Sequence, residues 1–277
     1  MAVIKEIQNE LEERGLITQV SEVIKNGVQL TGITIKCNPD QRIAPCFYMT
    51  EELESLPASE AADIIEHRLV SEGSIDVGDV DQLVSRDSIL DRVFIGVQRS
   101  STQDLIKRPT ELEGIEQYLF IRGSNDGDTN WSIKLNPSIL RNAGLTEAEV
   151  WSAAEKNTFC ESEITIESMQ EILARMMGID DVIPEPDIPM YVISNVSKHN
   201  GAVQIFNQTA VRKWAEEHGW KKLILIPSSV SEFLVIPAEN NNLRIEEMTA
   251  LVQEVNATQV SPIEQLSDRA YIIDLAA

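Results

Sequence analysis

The chain is predicted to be an α+β protein of antiparallel sheets with helices packed on one face. Three observations predict this class. Short runs with period-two alternation recur along the sequence, as in Val28 to Lys36. Amphipathic runs at helical spacing lie between them. The last third reads as a compact ββαββα-β unit, an order that suggests one antiparallel sheet. With 277 residues, 43% hydrophobic and 25% charged, the composition is ordinary for a folded chain able to bury a sizeable core.

Val3 to Arg14 reads as an amphipathic helix, with Val3, Ile4, Ile7 and Leu11 on one face and Gly15 as its stop. Val28 to Lys36 is a half-buried strand, and Asn38-Pro39-Asp40 a turn. Ile43 to Met49 follows as a second strand, placed at an edge or bulge by Pro45. Thr50 opens an acidic helix that breaks near Pro57 and resumes from Ser59 to about Ser71. Gly73 to Val84 reads as loop. Arg92 to Arg99 is a strand, and Thr102 to Lys107 a short helical piece. Ile115 to Arg122 and Trp131 to Leu135 are two strands joined by the hairpin loop Gly123 to Thr129. Pro137 to Ala143 and Glu147 to Lys156 are helices, the second opened by a capping box of Thr146 with Glu149. Thr165 to Met177 is a further helix, whose stripe of Met169, Ile172, Leu173 and Met176 reads as core packing.

Gly178 to Pro189, with Pro184, Pro186 and Pro189 among acids, is the best boundary in the chain. It divides an N-terminal α+β region, 1–180, from a C-terminal α+β unit, 187–277. In that unit Met190 to Val196 and Ala202 to Phe206 are strands around a polar turn. Asn207 caps a helix from Gln208 to His218, with Gly219 as its stop. Lys222 to Ile226 and Glu232 to Ile236 are strands joined at Pro227 to Ser231. Arg244 to Asn256 is the last helix and Ala270 to Leu275 the closing strand.

The charge excludes more than it names. The sequence holds 45 acidic against 23 basic residues, a formal net charge of -22. Such a surface repels phosphate backbones and anionic lipids, and no basic stripe offsets it. Direct nucleic-acid binding is not expected. A basic protein partner is what the charge favours; mimicry of nucleic acid is a sharper version of the same idea. Cys37, Cys46 and Cys160 form no CxxC pair and no even framework, which fits reduced thiols. The N-terminal residues lack the apolar core of a signal peptide, and no apolar run approaches the ~18 residues of a membrane span. The expected location is cytoplasmic. The sequence leaves the oligomeric state open.

Catalytic motifs are missing. His67, His199 and His218 have neither i, i+4 partners nor cysteines at zinc spacing, so no metal site is expected. Asn125-Asp-Gly-Asp128 lacks the spaced ligands of a calcium loop. There is no phosphate-cradling glycine loop and no nucleophile elbow, so no cofactor is expected and no catalytic residue is assigned. The candidate binding residues are Ser228, Ser229 and Glu232, in the connection between two strands. One serine there reads as a nucleophile or ligand-binding hydroxyl in a small hydrolase-like enzyme. Equally, Ser229-x-x-Glu232 reads as a locally bonded turn or cap.

Several C-terminal segments are specific: Met190 to Asn195, Asn200-Gly-Ala202, Leu225 to Glu232, Val255 to Pro262, and Leu266-Ser-Asp268 followed by Tyr271. With Arg42 to Pro45 and the acidic helix after it, they resemble an uncharacterised bacterial family, a domain of unknown function common in gut anaerobes and often encoded near mobile genetic elements. The resemblance spans nearly the whole chain. It implies a bacterial cytoplasmic home and a link to mobile elements, but no activity, cofactor or catalytic residue. The family often has His before the Glu of the Ser-Ser turn, where this chain has Ser231. Taken together, the sequence predicts a non-enzymatic interaction protein. The alternatives are the hydrolase at Ser228 to Glu232, the acidic mimic, and a structural subunit completed by a partner.

Overall fold

A computed structural model describes residues 2–36, 39, 44–71, 80–125, 129–178, 188–239 and 243–275. The expected turn at 38–40, most of the loop at 73–84, Cys37, the tip of the 123–129 hairpin and most of the 178–189 boundary lie outside these residues. The protein is α+β, with three antiparallel sheets among the described residues. It divides into two units, Met1–Ile89 with Arg122–Ser132, and Leu90–Ile121 with Ile133–Ala277.

In the first unit, helix α1 (Ala2–Glu13) precedes a sheet in the order β1 (Ile17–Lys25), β2 (Val28–Lys36), β3 (Cys46–Tyr48). Helices α2 (Glu51–Ser55) and α3 (Ala58–Ser71) follow, separated at Pro57, and then α4 (Val80–Leu83). The apolar face read in the first helix is the core: Ile7, Leu11, Ile33, Ile35, Ala61, Ala62 and Ile65 are all fully buried together. Strand β1 is an addition to the predicted elements. It pairs along its length with β2, from Ile17↔Lys36 to Lys25↔Val28. Asn26 and Gly27 make the connection with φ of 50° and 79°, the left-handed pair that a two-residue hairpin turn needs.

The central sheet has β6 (Ile115–Asn125) flanked by β4 (Val93–Arg99) and β5 (Lys107–Pro109), with β7 (Thr129–Lys134) also paired to β6. Helix α5 (Arg86–Arg92) leads directly into β4. No helix forms at 102–107. Instead Lys107–Pro109 enters the ladder opposite Glu116–Tyr118, because sheet hydrogen bonds outweigh the weak local preference. Helices α6 (Pro137–Ala143) and α7 (Glu147–Glu155) come next, and α7 carries the Thr146/Glu149 capping box as expected. A single π-helical turn, Lys156–Glu161, closes α7.

The C-terminal sheet has the order β12 (Tyr271–Asp274), β10 (Lys222–Ser229), β11 (Glu232–Pro237), β9 (Tyr191–Asn195), β8 (Ile164–Ser168). Helix α10 (Ile245–Thr258) covers one face through Val252, against Ile224, Ile226 and Ile236. The opposite face is just as buried: Leu223, Ile193, Phe233 and Val235 are fully enclosed. Helix α9 (Gln208–Glu217) lies on that side, with Trp214 edge-on to Tyr191 at 5.1 Å.

Two expected elements change here. Ala202 to Phe206 is not a strand: Gly201–Phe206 is a 3-10 helix, so the unit keeps its predicted order except at this second element. Asn200 takes a left-handed conformation and turns the chain, and Gly201 to Ile205 are then all buried. The predicted helix from Thr165 to Met177 is also two elements. Ile164–Ser168 pairs with β9 as β8, and only then does α8 (Met169–Met177) begin. Ser168 sets the boundary, since its hydroxyl accepts from Glu171 N–H while the Glu171 carboxylate accepts from Ser168 N–H.

Candidate functional site

Ser228 and Ser229 end β10, and Glu232 begins β11. A register shift between Pro227 and Ser229 bulges the strand just before the turn. Ser228 donates its hydroxyl to Glu232 Oε1 at 3.1 Å, and the Ser231 N–H donates to Ser229 Oγ at 3.1 Å. Val230 N–H donates to the Glu264 carbonyl at 2.8 Å. The three candidate residues are half-buried and bonded to their own turn. The turn is held from below: Ser194 donates its hydroxyl to the Ser231 carbonyl at 2.7 Å, and Gly201 packs into the same point. A Cβ on Gly201 would stand 2.6 Å from the Ser231 carbonyl and 2.7 Å from Asn195 N, and against Ser194 Oγ. Three of the specific segments read in the sequence therefore meet at one junction, where a backbone passes too close for any side chain.

The histidines sit elsewhere. His199 lends its carbonyl to Asn195 Nδ2 at 2.9 Å. His218 stacks on Trp220 at 4.6 Å, within a cluster that includes Trp214 and Tyr191. Its ring Nδ1 lies 2.8 Å from the Trp214 carbonyl, so it occupies the helix C-terminus expected of it. Among the described residues no three His, Cys, Asp or Glu side chains gather as metal ligands. Among them, too, no helix is long and apolar enough to cross a membrane.

A second polar centre lies on the central sheet, and sequence reasoning does not find it. Glu116, only 7% exposed, stands opposite Gln98. Its carboxylate accepts from Gln98 Nε2 at 2.7 Å and Ser101 Oγ at 2.8 Å, and Lys107 Nζ lies 3.3 Å away. Lys107 also donates to the Ser101 carbonyl. Lys134 donates to Gln98 Oε1 at 2.7 Å and lies over the Tyr118 ring at 4.4 Å. Burial pushes the Tyr118 phenol up to about 12. Desolvating a carboxylate is costly unless it is fully paired, and here its partners come from two strands and a loop. In a chain with 45 acids nothing local marks Glu116. Its only signal is the alternation that sets Glu116 and Tyr118 on one face of β6.

A third centre ties down the C-terminal segment. Arg99 donates to both carboxylate oxygens of Asp268, at 2.8 and 3.0 Å, and to the Gln265 carbonyl at 3.2 Å. Asn256 donates to Asp268 at 2.9 Å. The Arg99 hydrogen bonds, helped by Asn256, hold the Asp268 carboxyl below its ordinary range. Arg99 and Asp268 border an open, polar cavity of about 470 Å³. Because each of them is already bonded to a neighbour, the arrangement works as a latch on residues 265–271.

The stripe Met169, Ile172, Leu173, Met176 does not pack into a core. No residue of α8 is buried; Leu173 is 44% exposed and Met176 78%. The amphipathic pattern was correctly read, but on its apolar face Leu173 and Met176 are exposed and Met169 and Ile172 only half-buried. The expected role as core packing is overturned, because no residue of α8 is buried.

The matching family model, described as a family of unknown function (DUF5688), covers residues 1–274. The chain belongs to DUF5688. No curated protein and no solved structure matches it. Membership in DUF5688 assigns no chemistry to the Ser228–Glu232 turn, the Glu116 centre or the α8 face.

Proposed function

We propose that this DUF5688 member is a non-enzymatic interaction protein whose partner is basic. The observation that carries the reading is the apolar face of α8, where Leu173, Met176 and Met177 lie exposed on one short helix. Large apolar side chains clustered on an otherwise charged surface mark protein-binding sites more often than chance exposure does. The net charge of -22 supplies long-range attraction for a basic partner and repels nucleic acid and anionic membrane. The polar groups of the serine turn are engaged in local bonds, which supports a structural use of that turn over a hydrolytic one.

The test compares the full chain with L173E/M176E, each immobilised and exposed to cell lysate over a series of salt concentrations. A partner recovered by the wild type at low salt, lost at high salt and lost in the double variant is expected. Recovery that is equal for both proteins at every salt would refute the reading.

A further inference from the structure

Strand β8 ends the C-terminal sheet, and its pairing shows which peptide groups face outward. Val196 N–H donates to the Glu163 carbonyl at 3.2 Å and Met169 N–H to the Met190 carbonyl at 2.8 Å. The register between them runs Ile164↔Asn195 to Ser168↔Tyr191. In an antiparallel pair inward and outward peptide groups alternate. Residues 163, 165, 167 and 169 therefore bond to β9, and the N–H and C=O of Ile164 and Ile166 point away from the sheet. Among the described residues no strand lies beyond β8. Sheet edges are normally blunted by lysine, proline or a bulge. This one reads Ile-Thr-Ile-Glu, has none of these devices, and keeps an unbroken register.

The surroundings suit an added strand. Ile164 borders a cavity of about 650 Å³, lined also by Phe159, Cys160, Asn207, Ala210 and Lys213, on the α9 side of the sheet. The α8 face begins where β8 stops. Glu163 and Glu167 bracket the two isoleucines, and Glu167 is ion-paired with both Lys198 and Arg175.

We infer that β8 is a strand-addition site for an extended, basic-flanked segment of a partner protein. The segment pairs its backbone with Ile164 and Ile166 and drops an apolar side chain into the cavity beside Ile164. Main-chain bonds supply the affinity and the alternating side chains the selectivity. Glu163 at one end of the strand, on a chain of net charge -22, favours lysine or arginine at the flanks of the incoming segment. A second copy of this chain carries the same net charge of -22, which disfavours self-pairing. The inference rests on the interaction reading above and names the site and class of partner.

The test uses the full chain and a fluorescein-labelled peptide, Lys-Lys-Val-Thr-Val-Thr-Val-Lys-Lys, read by anisotropy. Its control is the same peptide N-methylated at alternate residues, which removes the backbone donors. The protein variant is Ile166→Pro, which deletes an outward N–H and leaves the β9 ladder its own bonds. Expected are saturable binding of the unmodified peptide, at least tenfold weaker binding of the N-methylated one, a similar loss in Ile166→Pro, and weakening with salt. Equal binding of the two peptides by wild-type protein overturns the inference even if Ile166→Pro proves unstable. Concentration-dependent dimers in sedimentation, abolished by Ile166→Pro, also overturn it, by assigning the edge to a second copy. Lysate capture that depends on α8 but not on Ile166 overturns strand addition while leaving the interaction reading in place.

Discussion

Replacing Gly201 by alanine tests whether the specific C-terminal segments are explained by packing. The new Cβ would meet the Ser231 carbonyl at 2.6 Å and Asn195 N at 2.7 Å, besides Ser194 Oγ. Ordinary carbon–oxygen approaches are about 3.3 Å or more, so the overlap is roughly 0.7 Å. Two of the three neighbours are backbone, in the β10–β11 turn and in β9, and neither can rotate away. Overpacking of this kind costs about 1–3 kcal/mol. Displacing Ser194 also endangers its 2.7 Å bond to the Ser231 carbonyl, worth about 1 kcal/mol. The sum is about 2–4 kcal/mol, or roughly 5–15 °C in melting temperature for a chain of this size. Thermal and urea denaturation of Gly201→Ala measure it. Gly144→Ala is the contrast, since Gly144 has open space around its Cα but a φ of +64°; its cost is the left-handed strain alone, about 1–2 kcal/mol. Gly201→Ala melting within a degree of wild type would refute the junction as described.

Other outcomes follow from the same structure. Leu11→Ala, at a fully buried position of the first core, should destabilise by about 2–5 kcal/mol in denaturant titration. Glu116→Ala strips the acceptor from Gln98, Ser101 and Lys107 and should cost about 3–5 kcal/mol, measured the same way. Ser168→Ala removes the hydroxyl that starts α8; a loss of about 1 kcal/mol with faster amide exchange in residues 169–172 is expected. Asp268 has a folded pKa below its ordinary value because Arg99 bonds to the ionised form. Its contribution is complete above the unfolded carboxylate value, about 3.9, and is lost as pH falls through the lower folded value. Asp268→Asn should therefore melt lower than wild type at neutral pH and show a shallower further decline below about pH 4.

Much of the architecture was legible because its signals are local. Helix α1 was visible in Val3, Ile4, Ile7 and Leu11, since one face of a helix repeats every three or four residues. The α7 cap was visible in Thr146 and Glu149, which satisfy each other within one turn. Strand β1 was legible too, in the alternation of Ile17 to Lys25 before Asn26-Gly27, although the prediction passes over it. The α+β class and membership in a family of unknown function were both within reach of the sequence.

The tertiary structure decided what depends on partners distant in the chain. Ala202 to Phe206 has the composition of a strand, yet it forms a 3-10 helix that starts where Gly201 packs against Ser194, Asn195 and Ser231. The apolar stripe of α8 is the same in sequence whether it faces a core or solvent; only the packing around the helix shows Leu173 and Met176 exposed. Glu116 looks like any other acid until Gln98, Ser101 and Lys107 converge on it. The acidity and the family resemblance belonged to the sequence by itself. The outward peptide groups of Ile164 and Ile166 and the exposed Leu173 and Met176, the places proposed for a partner, belonged to the fold, because an edge and an uncovered face are defined only by what else packs nearby.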